Sequence, residues 1–133
     1  MTEPLPAIAV VQSDPSDAAH IESSLREAGM RNPIWRYIDG DALVEALPDV
    51  APGVLLPVAM VITESNAWPS IAQWRGVAHA HLLPAVVTFN DAEALKAFSA
   101  GGAAHAVGTL KPFEPRSFIR LLEPLRCQWL LMD

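Results

Sequence analysis

The sequence has little cysteine, little positive charge and no long apolar run, and each shortage removes a class of protein. Cys127 is the single cysteine, so no intrachain disulfide can form, which fits a reducing compartment. Nine Lys and Arg face fifteen Asp and Glu, for a net charge of −6. The basic residues are scattered rather than clustered, which excludes the electrostatic footprint of a nucleic-acid binder. No apolar run approaches the ~20 residues of a membrane-spanning helix. Met1-Thr2-Glu3-Pro4 lacks the basic start and apolar core of a secretory signal. The expectation is a cytoplasmic protein without nucleic-acid or membrane partners. Repeats, low-complexity tracts and a phosphate-cradling glycine loop after the first apolar run are also missing.

What is present fits one domain over residues 1–133. Hydrophobic residues make up 51% of the chain and charged residues 18%, against roughly 25% charged in an average domain. Ala7 to Val11 is a short, wholly apolar run, the pattern of a strand buried on both faces of a parallel sheet. It stops at Gln12-Ser13-Asp14-Pro15, where Asp14 or Ser16 can cap a helix and Pro15 suits its first turn. Ile21, Leu25 and Ala28 recur at helical spacing, and Gly29 is a fitting stop.

Ile34 to Ile38 reads as a second strand with Trp35 and Tyr37 on one side, followed by a short helix capped by Asp41. After a loop from Pro48 to Pro57, Val58 to Ile62 is a third strand. Glu64 to Pro69 reads as loop, leading to a weak helix around Ile71 to Trp74. Pro84 to Val87 and Val107 to Leu110 complete the strands. Between them lies a helix over Asp91 to Ala100, with Ala94, Leu95 and Phe98 inward. Arg116 to Leu131 reads as a last helix kinked at Pro124. Five strands alternating with helices imply an α/β fold: a doubly wound parallel sheet with helices on both faces. In such sheets the site lies beyond the carboxyl ends of the strands, which directs attention to Gln12, Ser13, Thr63, Thr88 and Lys111.

At this point a resemblance becomes specific. Val10-Val11-Gln12-Ser13-Asp14-Pro15-Ser16-Asp17 resembles the first strand and loop of a receiver domain of two-component response regulators. Thr109-Leu110-Lys111-Pro112-Phe113 resembles the receiver Lys-Pro signature. Glu27 to Pro33, Tyr37 to Leu43 and the ending Gln128 to Asp133 are similar to the small regulators associated with bacterial phytochromes. The resemblance implies a flavodoxin-like (CheY-like) fold and, before Pro112, a cis peptide. It also implies a pocket in which an aspartate accepts phosphate, two acids hold Mg²⁺, and a hydroxyl and a lysine bind the phosphoryl oxygens.

Matched residue by residue, that pocket is degenerate. Gln12 and Ser13 fall at the acid pair, and both are neutral. The acceptor falls on Thr63 counted from Pro57, or on Ser65 counted from Pro69. The hydroxyl position is Thr88 or Phe89, and Lys111 matches the lysine. Asp14 and Glu64 are one register step away and are the candidate compensating carboxylates, either of which can pair with Lys111. No aspartate lies between Val50 and Asp91, so no register restores the acceptor. A hard cation needs carboxylates, so Mg²⁺ binding is expected to be weak or absent, and no other cofactor is expected.

His79 and His81 lack a third ligand for a metal site, and no nucleophile elbow appears. Phe98, His105, Phe118, Leu122 and Trp129 are candidates for an interface, since receivers pair through the fourth helix, fifth strand and fifth helix. The expectation is a non-enzymatic pseudo-receiver, homodimeric, whose partner is a histidine kinase or another regulator. Two alternatives stand beside it: a phosphorelay receiver working through an unconventional residue such as Glu64, and a small-molecule sensor on a flavodoxin-like fold.

Overall fold

The first strand, β1 (Ala7–Val11), is buried at all five positions, as its apolar composition requires. A computed structural model of the chain describes residues 7–46, 58–77, 83–101 and 105–111, together with 114, 116 and 120. After β1 come α1 (Pro15–Glu27), β2 (Ile34–Tyr37), α2 (Gly40–Ala46) and β3 (Val58–Glu64). A 3₁₀ turn over Ser65–Ala67 leads into α3 (Trp68–Val77), then β4 (Ala85–Phe89), α4 (Ala92–Gly101) and β5 (Ala106–Leu110). The expected last helix, with its kink at Pro124, and the bond before Pro112 lie outside the described residues, as do His79 and His81.

Local chemistry sets the helix ends. Asp14 caps α1, its Oδ1 accepting from the Ser16 amide at 2.8 Å, with Pro15 in the first turn. Gly29 ends α1 at φ +96°, a conformation open to glycine because it has no Cβ. The amide of Met30 then reaches back to the Leu25 carbonyl at 3.0 Å. Asp39, rather than the expected Asp41, caps α2, accepting from the Ala42 amide at 2.8 Å. The expected loop from Glu64 to Pro69 is also corrected. Glu64 stays in β3, paired in register with Thr88, and α3 begins at Trp68 because Pro69 fits a first helical turn rather than breaking one.

All strand pairs are parallel, in the order β2-β1-β3-β4-β5, the doubly wound flavodoxin-like arrangement. The central strands β1, β3 and β4 are buried on both faces of the sheet. On one, Ile8, Val10, Met60, Ile62 and Val86 pack under Ile21 and Leu25 of α1. On the other, Ala9, Val11 and Val61 meet Leu43 of α2 and Ile71 of α3. Each fully buried Leu or Ile contributes about 1.5–3 kcal/mol of burial, so the two layers fix the strand register and hence the side chains at the strand ends. Tyr37 packs on the second layer while Trp35, on the same side of β2, keeps 39% of its surface exposed. Among the described residues, no helix is long and apolar enough to cross a membrane.

Candidate functional site

Strand order reverses between β1 and β3, and in such sheets ligands bind at that switch point, beyond the carboxyl ends of the strands. Alternation along the strands sends Gln12, Glu64 and Thr88 to the α1 side, following Val10, Ile62 and Val86. Gln12 is 4% exposed. Its Nε2 donates to Thr88 Oγ1 at 3.2 Å, and the Thr88 hydroxyl donates to the Thr63 carbonyl at 3.4 Å. The other end of the amide, Gln12 Oε1, is buried without a hydrogen-bond partner among the described residues. Phe89, the alternative to Thr88, points to the opposite face and packs on Phe98 with ring centroids 5.3 Å apart.

At the rim, Ser13 Oγ donates to Glu64 Oε2 at 3.1 Å. Thr63 is fully buried on the α2 and α3 side, and its hydroxyl donates to the Glu64 carbonyl at 3.1 Å. Lys111 does not pair with Glu64 or Asp14, as the sequence suggested. Its Nζ meets Asp17 Oδ2 at 2.8 Å, with 19% of the lysine side chain and 39% of the aspartate side chain exposed. Asp14 is engaged as the cap of α1, and Glu64 by Ser13. Asp17 is the residue that sequence reasoning missed. The available signal was its place in the first turn of α1, which starts at the same end of the sheet as Lys111.

A cleft of about 160 Å³ opens beside Glu64, lined by Asp39, Gly40, Asp41, Asn66, Ala67 and Ser70. Burial raises the pKa of the Tyr37 phenol above its ordinary value. At the end of β1 the donor set lacks the paired carboxylates that a hard divalent cation favours. The two positions after β1 offer an amide and a hydroxyl, Glu64 already accepts from Ser13, and Asp17 is matched to Lys111. Among the described residues no group of three His, Cys, Asp or Glu is placed to hold a metal ion.

The interface candidates are placed unevenly. Phe98 is half-buried against Trp68 and Phe89. His105 is exposed at φ +53°, in the turn before β5. Phe118, Leu122 and Trp129 lie outside the described residues.

The orphaned Gln12 Oε1 makes this corner costly to keep. A buried, unpaired acceptor carries a desolvation penalty of about 1–3 kcal/mol. Gln12→Leu, close in volume and without polar atoms, is therefore expected to be neutral or to stabilise the fold by up to about 1 kcal/mol. Urea unfolding checks this: the midpoint should rise or hold with the slope unchanged, and a fall of several tenths of a molar would show the amide to be structurally required.

No protein-family model matches the sequence, and neither does any curated protein. Solved structures do match. The bacteriophytochrome response regulator AtBRR superposes with a TM-score of 0.80 at 19% identity, over 98% of this chain and 99% of that one. The bacteriophytochrome response regulator RtBRR gives 0.76 at 17% identity, over 91% of this chain and 78% of that one. A response regulator receiver domain from Rhodospirillum rubrum gives 0.65 at 18% identity, over 96% and 95%. At such identities the likeness speaks for the fold, and what this chain has is the fold of a response-regulator receiver domain.

Proposed function

We propose that this protein is a pseudo-receiver: a non-enzymatic interaction module of two-component signalling that does not take up phosphate. One observation carries the reading. The two positions after β1, where a cation would have to be held, carry the neutral Gln12 and Ser13, whose side chains bond to Thr88 and Glu64. Thr63 is buried on the opposite face of the sheet, and its hydroxyl cannot give an acyl phosphate. The neighbouring Glu64 is bonded to Ser13, and the lysine is bonded to Asp17 instead of being open to an incoming phosphoryl group. Without acids to hold a charge-neutralising cation, and with the nearby carboxylate and lysine both engaged, phosphoryl transfer loses the supports on which it depends.

A module of this kind acts through binding. Its partner is a signalling protein, such as a histidine kinase or another regulator, met in the cytoplasm, and it pairs as a homodimer. Incubation with acetyl phosphate and Mg²⁺, followed by intact-mass measurement, tests the proposal. The expected result is an unchanged mass; a hydroxylamine-sensitive adduct would overturn it.

A second reading has one observation in its favour: the Glu64 carboxylate stands at the end of β3 beside an open cleft. A γ-carboxyl phosphate there would make the chain a working phosphorelay receiver. That reading demands a hydroxylamine-sensitive adduct that Glu64→Gln abolishes, together with micromolar Mg²⁺ affinity by tryptophan fluorescence.

A further inference from the structure

Helix α4 is held to the sheet by little. Of its residues Ala92 to Gly101, all are exposed except Leu95 and Phe98, which are half-buried. Both side chains enter a notch on β5 that exists because residue 108 is glycine. A Cβ there would lie 2.4 Å from Leu95 Cδ1, 3.1 Å from Phe89 Cε2 and 3.2 Å from Phe98 Cδ2. The seat of α4 is thus Leu95 and Phe98 against Phe89 and the bare backbone of Gly108.

Phe98 has a second neighbour. The Trp68 ring meets it edge-on, with centroids 5.8 Å apart and planes at 81°. Trp68 is itself steadied by the Arg75 guanidinium, 5.4 Å from its ring centre. Arg75 is 5% exposed, and burial lowers its pKa from the ordinary guanidinium value. On the other side, Trp68 directly follows the 3₁₀ turn that begins after Glu64. That turn is braced: a Cβ on Gly40 would come within 3.0 Å of the Ala67 carbonyl oxygen and 3.2 Å of Ser70 Cβ. A turn packed this closely transmits a displacement instead of absorbing it.

We infer that Trp68 is a positioning residue that couples the Ser13–Glu64 corner to the seat of α4 through Phe98. The coupling belongs to the packing and holds whether or not the chain accepts phosphate, so it does not rest on the pseudo-receiver reading. A cycle of variants, rather than a single one, tests the coupling.

Amide hydrogen exchange on the full chain reads it out, since exchange reports the local opening of each element. Trp68→Leu should accelerate exchange in α4 by about fivefold, the scale of a lost ring pair, with α1 unchanged. Trp68→Phe, which keeps a ring, should recover part of that protection. Ser13→Ala should shift α4 exchange by at least about twofold in the native background and leave it unmoved where Trp68 is leucine. If Trp68→Leu does not fold, Phe98→Leu breaks the same contact from the α4 side and takes its place in the cycle. The inference is overturned if the ring variants leave α4 protection intact, if Ser13→Ala has no effect on α4 in the native background, or if its effect is the same with and without the Trp68–Phe98 contact.

Discussion

Ile62→Ala is expected to lower the free energy of unfolding by about 2–5 kcal/mol, a large share of the ~5–15 kcal/mol that holds a small domain together. Ile62 is fully buried in β3, the strand between β1 and β4, and packs in the layer beneath α1. Truncation removes apolar surface from burial and leaves a cavity between elements that cannot collapse without shifting strand register. In urea the unfolding midpoint should fall with the slope unchanged. Ile38→Ala supplies the contrast. Ile38 is 65% exposed just past β2, and the same chemical change there should stay within about 0.5 kcal/mol. Equal effects at the two positions would be incompatible with the two-layer core.

Gly108→Val carries the second large effect, and its sign is informative. In an exposed strand position valine is preferred over glycine, so the substitution should stabilise. Here the new side chain enters a space already filled by Leu95, Phe89 and Phe98. The Leu95 methyl can rotate aside, whereas the two phenyl rings are held against each other and Trp68. Overpacking of this kind costs about 1–3 kcal/mol. Thermal unfolding measured beside the native chain decides the sign, and a gain in stability would mean that α4 does not rest on β5 at this point.

Much of the architecture was legible because local signals and global fold agree. The apolar run Ala7–Val11, the Asp14–Pro15 start, Gly29 and the alternation of strands with helices all point to the same sheet. The site was harder to read, for a physical reason. β3 is apolar on both faces, so Val58 to Thr63 carries no period-two alternation to say which residue faces which layer. The ambiguity between Thr63, Glu64 and Ser65 is the direct result. It resolves once pairing sets Thr63 opposite Val11 and Glu64 opposite Thr88. The Lys111–Asp17 pair was missed for a different reason. Its members are 94 positions apart, and nothing in linear spacing connects a helix start to the end of a distant strand. The start of α3 was misplaced because Trp68–Pro69 reads equally well as a loop or as a first helical turn.

The position of β1 has a consequence for how the molecule is made. Of the five strands of this sheet, β1 leaves the ribosome first, yet it is interior to the finished sheet, flanked by β2 and β3. One flank can close once Ile34 has emerged, but the other waits for β3 to be translated, and at ~5–20 residues per second that delay lasts several seconds. Until then the backbone donors and acceptors on its β3 side are left to water. High contact order of this sort slows folding, and the nascent chain is most open to chaperone capture or mispairing during that interval.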